Sequence, residues 1–439
     1  MKKSVLALIL LAVIVIIVSP GIVGKLAEES VGKNLNWAAQ ESGELVVSSE
    51  GFDRGWFSSE GQYRVALDEG NIRSAITTAA GGVHSQQIPV LLINTHIDHG
   101  LIPVSSMSRD EGSLLPGLGR AVSTLAVEFG DGETIDLPGA VYSKVGLGGK
   151  LDSKYVLEAG ALDVDEGEVT WQPTTINIES SAKTGKVAFS GEIGAMTFAN
   201  DQQTVSIDGL SLIGEQIPTP YGFYVGEVEM AMGAMTIDAG GTSPGGMQGF
   251  NVKGSSSVNG GVAAATIRLE ISGQTIPGFG DISLIADMGL SAVDAAALGA
   301  VIKRLENQAG AQDPDLIMMA AEKELKDLFA AGLRVGVSQF DVALPMGTVE
   351  MKLAIEAPGS DRASFQWSSL LLGTTASIDV KVPEDLVQFA TSMNPQVGAM
   401  VGMGYLKKEG DVYILDADLK QGLLTINGAP LPLPLGALQ

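Results

Sequence analysis

Hydrophobic and polar positions change period three times along this chain. Between Lys3 and Lys25 there is no charged residue, and Val5–Val18 is unbroken Val, Leu, Ala and Ile. At about 1.5 Å rise per residue such a run makes a helix of roughly 30 Å, the thickness of a bilayer's hydrocarbon core. Val31–Ala39 is expected to continue as a juxtamembrane helix. Beyond Glu41-Ser42-Gly43 the period falls to two. Tyr63, Val65 and Leu67 share one face of a strand, with Gln62, Arg64 and Asp68 on the other. Val90–Thr95 reads as a more buried strand running into His96-Ile97-Asp98-His99-Gly100. Thr124–Phe129 ends at the hairpin signal Asp131-Gly132. Strand-like runs then recur to Met288, among them Thr204–Leu212, Tyr224–Ile237 and Val262–Ile271.

Helical spacing follows in Ala292–Gln308, with Val293, Leu298, Val301, Ile302 and Leu305. A second helix is predicted from the Asp313 N-cap and Pro314, stopped by Gly332. Strands resume at Leu333–Leu344 and Thr348–Ile355. A third helix is expected from Pro383-Glu384-Asp385, and a shorter one over Val397–Tyr405. A hairpin turning at Gln421-Gly422 closes the chain, and Pro430, Pro432 and Pro434 stop further regular structure. The expected fold is mainly β with inserted helices (α+β). It is either a large twisted antiparallel sheet or a β-groove packed by a helical hairpin at about 291–332, preceded by one transmembrane helix. The expected domains are an anchor at residues 1–25 and a single body at 26–439.

The apolar segment reads as an uncleaved anchor rather than a cleaved secretory signal. A signal peptidase needs small residues just past the apolar core, and here Ile22 and Val23 stand in that place. Lys2 and Lys3 precede the segment, which favours a cytoplasmic N-terminus. No later stretch approaches eighteen apolar residues, so the body is expected on the far side of a bacterial inner membrane, in the periplasm. The chain has no Cys, hence no disulfide and no thiol nucleophile. A formal net charge of −24 disfavours nucleic acid and adsorption onto anionic lipid headgroups.

Chemistry-bearing residues are few. His96-Ile97-Asp98-His99 holds two of the three histidines. On a strand His96 and Asp98 share a face and His99 points away. A metal could take His96 and Asp98 only with a further ligand from elsewhere, such as His84. Asp98 and His99 could instead act as acid and base; a local structural role near Gly100 and Pro103 is preferred. Gly55-Trp56-Phe57-Ser58-Ser59 could face the membrane, but one ring in the core and one over an edge is the simpler reading. Neither serine has a hydrolase nucleophile's context. Asp163-Val164-Asp165-Glu166-Gly167 lacks the spacing of a calcium loop and reads as a solvated hairpin. Met230, Met232, Met235, Met393, Met400 and Met403 are expected to fill the core, with an adaptable apolar cavity as the alternative. No cofactor is implied.

Arg54-Gly55-Trp56-Phe57-Ser58-Ser59 and Asp98-His99-Gly100-Leu101-Ile102-Pro103 resemble two motifs of the YdgA-like proteins, a bacterial family of unknown function. Gly422-Leu423-Leu424-Thr425-Ile426-Asn427-Gly428 resembles that family's closing strand. The resemblance implies an inner-membrane anchor with a periplasmic body, and no established activity. It draws attention to Gly55, Trp56, Phe57, Asp98, His99, Gly100, Asn427 and Gly428, and leaves His96 outside the motif. Three functions remain open. The first is a non-enzymatic envelope protein that binds a partner or organises the envelope. The second is a lipid-binding β-groove, which requires a continuous apolar concave surface. The third is a periplasmic enzyme, which requires Asp98 and His99 in an open cleft.

Overall fold

The computed structural model describes residues 45–54, 58–67, 90–99, 119–128, 132–164, 167–201, 203–238, 245–276, 280–306, 321–363 and 365–431. The predicted anchor and juxtamembrane helix lie outside these residues. Among the described residues no helix is long and apolar enough to cross a membrane. The chain divides into two compact units, Met1–Ile217 with Met232–Ser243, and Pro218–Ala231 with Pro244–Gln439. Every pairing whose register is defined in either unit is antiparallel.

The first unit begins with β1 (Leu45–Arg54), β2 (Ser58–Leu67), β3 (Val90–His99) and β4 (Gly119–Glu128), followed by β5 (Thr134–Asp136), β6 (Gly139–Val145) and β7 (Lys150–Leu157). It continues through β8 (Gly160–Val164), β9 (Gly167–Trp171), β10 (Thr174–Ser181), β11 (Val187–Ile193) and β12 (Met196–Ala199). After β13 (Thr204–Ile207) and β14 (Leu210–Pro218) the chain runs through β15 (Tyr224–Met232), most of which belongs to the second unit, and returns in β16 (Met235–Asp238). One ladder runs β1-β2-β3-β4-β6-β7-β10-β11-β14. A shorter one runs β8-β9-β12-β13-β16.

The two ladders are one meander creased along a line. The pair β7–β10 reaches Leu157↔Thr174, and β8–β9 resumes at Gly160↔Trp171, so the register carries through the crease without a slip. The same holds between Glu192↔Ser211 and Met196↔Ile207. Two-residue corners therefore lie side by side and bond each other: Gln172 N–H donates to Ala195 O at 2.8 Å, and Asp208 N–H to Ala234 O at 2.9 Å. Backbones approach closely there. A β-carbon on Gly194 would sit 2.5 Å from the carbonyl oxygen of Gln172, and Gly209 takes φ +117. Only glycine meets both demands.

Inside the crease lies one core. Leu91, Ile93, Leu125, Leu151, Leu157, Ile176 and Ile178 come from the long ladder, and Val169, Trp171, Met196 and Phe198 from the short one. The alternation of β10, Thr-Thr-Ile-Asn-Ile-Glu, turns Ile176 and Ile178 inward and Asn177 and Glu179 outward. Tyr63 is buried as the pattern of β2 predicted, and Val65 packs on the same core. Arg64, on the opposite face, makes a bidentate pair with Glu128 at 2.8 and 2.6 Å. That hydrogen bonding holds the Glu128 carboxyl below the usual carboxylate range.

The second unit adds β17 (Gly245–Met247), β18 (Gly249–Asn259), β19 (Val262–Ile276), β20 (Gly280–Asp294), α1 (Ala295–Glu306), α2 (Glu322–Ala331), β21 (Leu333–Leu344) and β22 (Gly347–Ala357). It ends with α3 (Trp367–Gly373), β23 (Thr375–Pro383), α4 (Glu384–Met393), α5 (Pro395–Gly402), β24 (Lys407–Glu409), β25 (Val412–Lys420), β26 (Leu423–Ile426) and β27 (Ala429–Leu431). Its sheet order is β15-β18-β19-β20-β21-β22-β23-β25-β26-β27, with β24 also on β25. The predicted hairpin exists, though α1 is shorter than its pattern and the Asp313-Pro314 start lies outside the described residues. It caps one end of the strands, where Val301 and Leu328 pack with Ala263, Val293, Leu333 and Ala357. Gly332 ends α2 with φ 86, as its place after the apolar run required.

Three readings from the sequence need correction. Thr204–Leu212 and Tyr224–Ile237 are not single strands, because the crease breaks them at Asp208-Gly209 and Gly233-Ala234. Helix α3 carries too short a pattern to be seen. Met393 and Met403 do not fill a core: they are 74% and 59% exposed.

Phe198 is 1% exposed at the centre of the crease. Phe198→Ala is expected to cost about 3–5 kcal/mol of stability, read by denaturant unfolding as an earlier transition of the first unit with the second unit's transition unmoved.

Candidate functional site

Of the residues singled out in the sequence, Gly55, Trp56, Phe57, Gly100 and His84 lie outside the described residues, as does the side chain of His99. Asp98 is described and buried, 2% exposed. As the strand period required, it shares a face with His96, whose Nε2 lies 3.3 Å from Asp98 Oδ1. Glu60, directly opposite His96 on β2, brings Oε1 to 3.3 Å from the other ring nitrogen, Nδ1. The imidazole thus stands between two carboxylates, and Arg120 occupies the position across from Asp98 on β4. The two carboxylates meet opposite ends of the ring and cannot converge on one ion. Among the described residues no group of three or more His, Cys, Asp or Glu could hold a metal. A carboxylate enclosed in the middle of a sheet is poorly placed to reach a substrate.

Asn427 is a fastening point. It takes φ 47, a left-handed conformation that Asn tolerates better than most residues. Its Oδ1 accepts from Asp416 N–H at 3.0 Å, while Asn427 N–H donates to Asp416 O at 2.6 Å. Its Nδ2 donates to Gly404 O at 2.8 Å and Tyr405 O at 3.2 Å. One side chain therefore ties the β26–β27 turn to β25 and to the chain leaving α5. Gly428, at φ 77, completes the turn.

A groove that no local motif announced crosses the second unit. It has a volume of about 1120 Å³ and runs over β15, β18, β19, β20, β21, β22, β23 and β25. Strand register builds its floor. Ser255↔Thr266, Thr266↔Gly289, Gly289↔Gly336, Gly336↔Ala354 and Ala354↔Ser377 form one row of small residues across six strands. Nothing in that row is larger than threonine, so the backbone itself is the surface over the central strands. Alternation puts the larger apolar residues of β22, Met351, Leu353 and Ile355, on the opposite face.

Charged rows flank the floor. Five cations (Lys253, Arg268, Arg334, Lys352, Lys420) and five carboxylates (Glu227, Asp287, Glu356, Asp379, Asp418) line the groove. Arg268 Nη1 lies 2.7 Å from Asp287, Arg334 Nη2 2.8 Å from Glu356, and Lys420 Nζ 3.1 Å from Asp418. Lys352 faces Asp379 across the β22–β23 pair. The local charge is balanced, although the chain as a whole carries −24. Hydrogen bonding to Glu270 and the field of Asp287 raise the Arg268 guanidinium further above its ordinary range, so it stays charged.

Sequence reasoning named none of the groove's residues as a site, because they come from strands far apart in the chain. The pairing register alone assembles them. The one available signal was the strict alternation of Thr348–Ala357, which separates Lys352 and Glu356 from Leu353 and Ile355.

Asn427→Ala removes three side-chain hydrogen bonds, each worth about 1 kcal/mol, and places a less tolerant residue at positive φ. A loss of about 2–4 kcal/mol is expected. Hydrogen exchange should quicken first at the chain leaving α5 and at the β25–β26 hairpin, and unchanged protection there would contradict the fastening role.

Comparison with known proteins gives one match. The model of a bacterial protein family of unknown function, DUF945, matches residues 1–434. No curated protein matches the chain. No solved structure matches it either. Because the matched region takes in both units and nearly the whole sequence, the chain belongs to the DUF945 family of bacterial proteins of unknown function.

Proposed function

We propose that this is a non-enzymatic binding protein of the bacterial envelope, held at the inner membrane by residues 1–25, with its body in the periplasm. The observation that carries the binding role is the groove of the second unit. A floor without large side chains lets a ligand lie against the backbone, and rows of both signs along the walls suit an extended peptide segment carrying both charges. Interactions of this kind give specificity and a salt-dependent association rate. The uncharged run of residues 4–24 and the resemblance to YdgA-like motifs support the location. The buried Asp98 weighs against the enzymatic reading.

A hydrophobic ligand is the second reading, and one observation favours it. On the face opposite the groove, Ile267 and Met288 pair across β19–β20 and are 42% and 39% exposed. The groove itself does not suit an acyl chain, since its charged walls would lose hydration without compensation.

A photo-crosslinking residue at Ala354, on the groove floor, tests the first reading in living cells. A discrete protein adduct is expected at Ala354 and not at Glu192 in the first unit, and it should vanish in the charge-reversed variant Arg268→Glu/Lys352→Glu. Adducts that survive the reversal, or none at all, would sink the peptide reading. Near-stoichiometric phospholipid in the purified full-length protein, found by mass spectrometry, would favour the hydrophobic ligand.

A further inference from the structure

Three pairs of directly opposed charges in the second unit close across their ladders. Arg268 meets Asp287 across β19–β20 at 2.7 Å, and Arg334 meets Glu356 across β21–β22 at 2.8 Å. Lys381 meets Glu350 across β22–β23 at 3.0 Å. A fourth pair stays open. Lys352 and Asp379 stand directly opposite in that same β22–β23 ladder, two positions along from Glu350 and Lys381. Both are exposed and line the groove. Among the described residues neither has an ion-pair or side-chain hydrogen-bond partner.

The surroundings give this open pair a direction. On the β21 side the ladder passes from Val337↔Leu353 to Phe340↔Met351, so a bulge sets Ser338 and Gln339 together against Lys352. Bulges recur beside binding sites, where they re-aim side chains, and here no carboxylate of β21 stands against the lysine. On the other side Asp416 of β25 is the ladder partner of Asp379. The row therefore runs from a cation on β22 to two carboxylates on β23 and β25. Next to it lies the groove floor, with Ala354 and Ser377 two residues along the same strands.

A closed pair must give up its own partner before it can take a ligand's charge, so gain and loss offset each other. The open pair has no partner to give up. We propose that Lys352 and Asp379 determine the groove's specificity: Lys352 binds an acidic side chain and Asp379 a basic one, both from a single extended peptide segment. Spacing agrees. Neighbouring strands lie about 4.7–4.9 Å apart, and side chains on one side of an extended peptide recur at about 6.6–6.8 Å. An acid and a base two positions apart thus fall between the one-strand step to Asp379 and the two-strand step to Asp416. The proposal rests on the peptide reading of the groove and names the charge pattern that such a peptide carries.

The test uses the full-length chain in living cells, with a benzophenone photo-crosslinking residue at position 354. The adduct is digested, and mass spectrometry maps the segment joined to the groove. That segment is expected to hold an acidic and a basic residue two positions apart, and one lacking either would overturn the proposal. In the charge-swapped variant Lys352→Asp/Asp379→Lys the adduct is expected to weaken about tenfold, because two attractions become two repulsions. Swapping a closed pair, Arg334→Glu/Glu356→Arg, should leave it within about twofold. The conservative variant Lys352→Arg/Asp379→Glu should retain it. Neutral Lys352→Gln and Asp379→Asn should each weaken it about threefold, which keeps the assignment testable should the swap disturb the fold. An adduct that survives loss of these charges, or falls equally in both swaps, rejects the assignment alone. No adduct with the groove's charges unchanged rejects the peptide reading on which it rests.

Discussion

Backbone hydrogen bonding in antiparallel register governs both units. Each ladder bond fixes which residue stands opposite which, and a slip of one position would turn every side chain to the other face. In the first unit the register carries through the crease, so corners such as Gln172-Pro173 and Gly194-Ala195 must lie alongside each other. Their backbones then approach more closely than a β-carbon permits at Gly194. In exchange, both arms of the meander bury their apolar faces on each other, and Phe198 and Leu157 reach full burial. The same rule in the second unit, without a crease, leaves a face open and lines small residues up across it.

This explains which parts of the structure could be read from the chain. Period-two alternation is local, and it correctly predicted the faces of β2. Helix ends are local too. Pro383 before Glu384 and Gly332 after Ala331 fall where their backbone preferences require, and the turn falls at Gln421-Gly422 as predicted. The shared face of His96 and Asp98 was legible from spacing alone, but the enclosure of Asp98 was not, because it depends on β2 and β4. A crease leaves almost no sequence trace either. Gly233-Ala234 interrupts an apolar strand pattern no more than an ordinary Gly would, and only its neighbour, Asp208-Gly209, shows that it is a corner. The groove is the extreme case. Gly289, Gly336 and Ala354 are ordinary until three strands bring them into one row.

The two faces of the second unit's sheet differ because its strands alternate so cleanly. Val349, Met351, Leu353 and Ile355 turn one way, and Thr348, Glu350, Lys352 and Glu356 the other. One end of the strands is closed by α1 and α2 through Val301 and Leu328. The charged face has no such cover among the described residues that line it. Its balance of cations and carboxylates contrasts with the excess of acid in the whole chain. A surface selected only for solubility has no need to collect five cations in one groove out of the 27 Lys and Arg present.

The family-like closing motif acquires a physical role in the same unit. Asn427 is distant in sequence from α5, yet its amide donates to the two carbonyls that follow that helix. A residue placed to hold β25, β26 and the exit of α5 together makes the orientation of α5 part of the sheet's geometry.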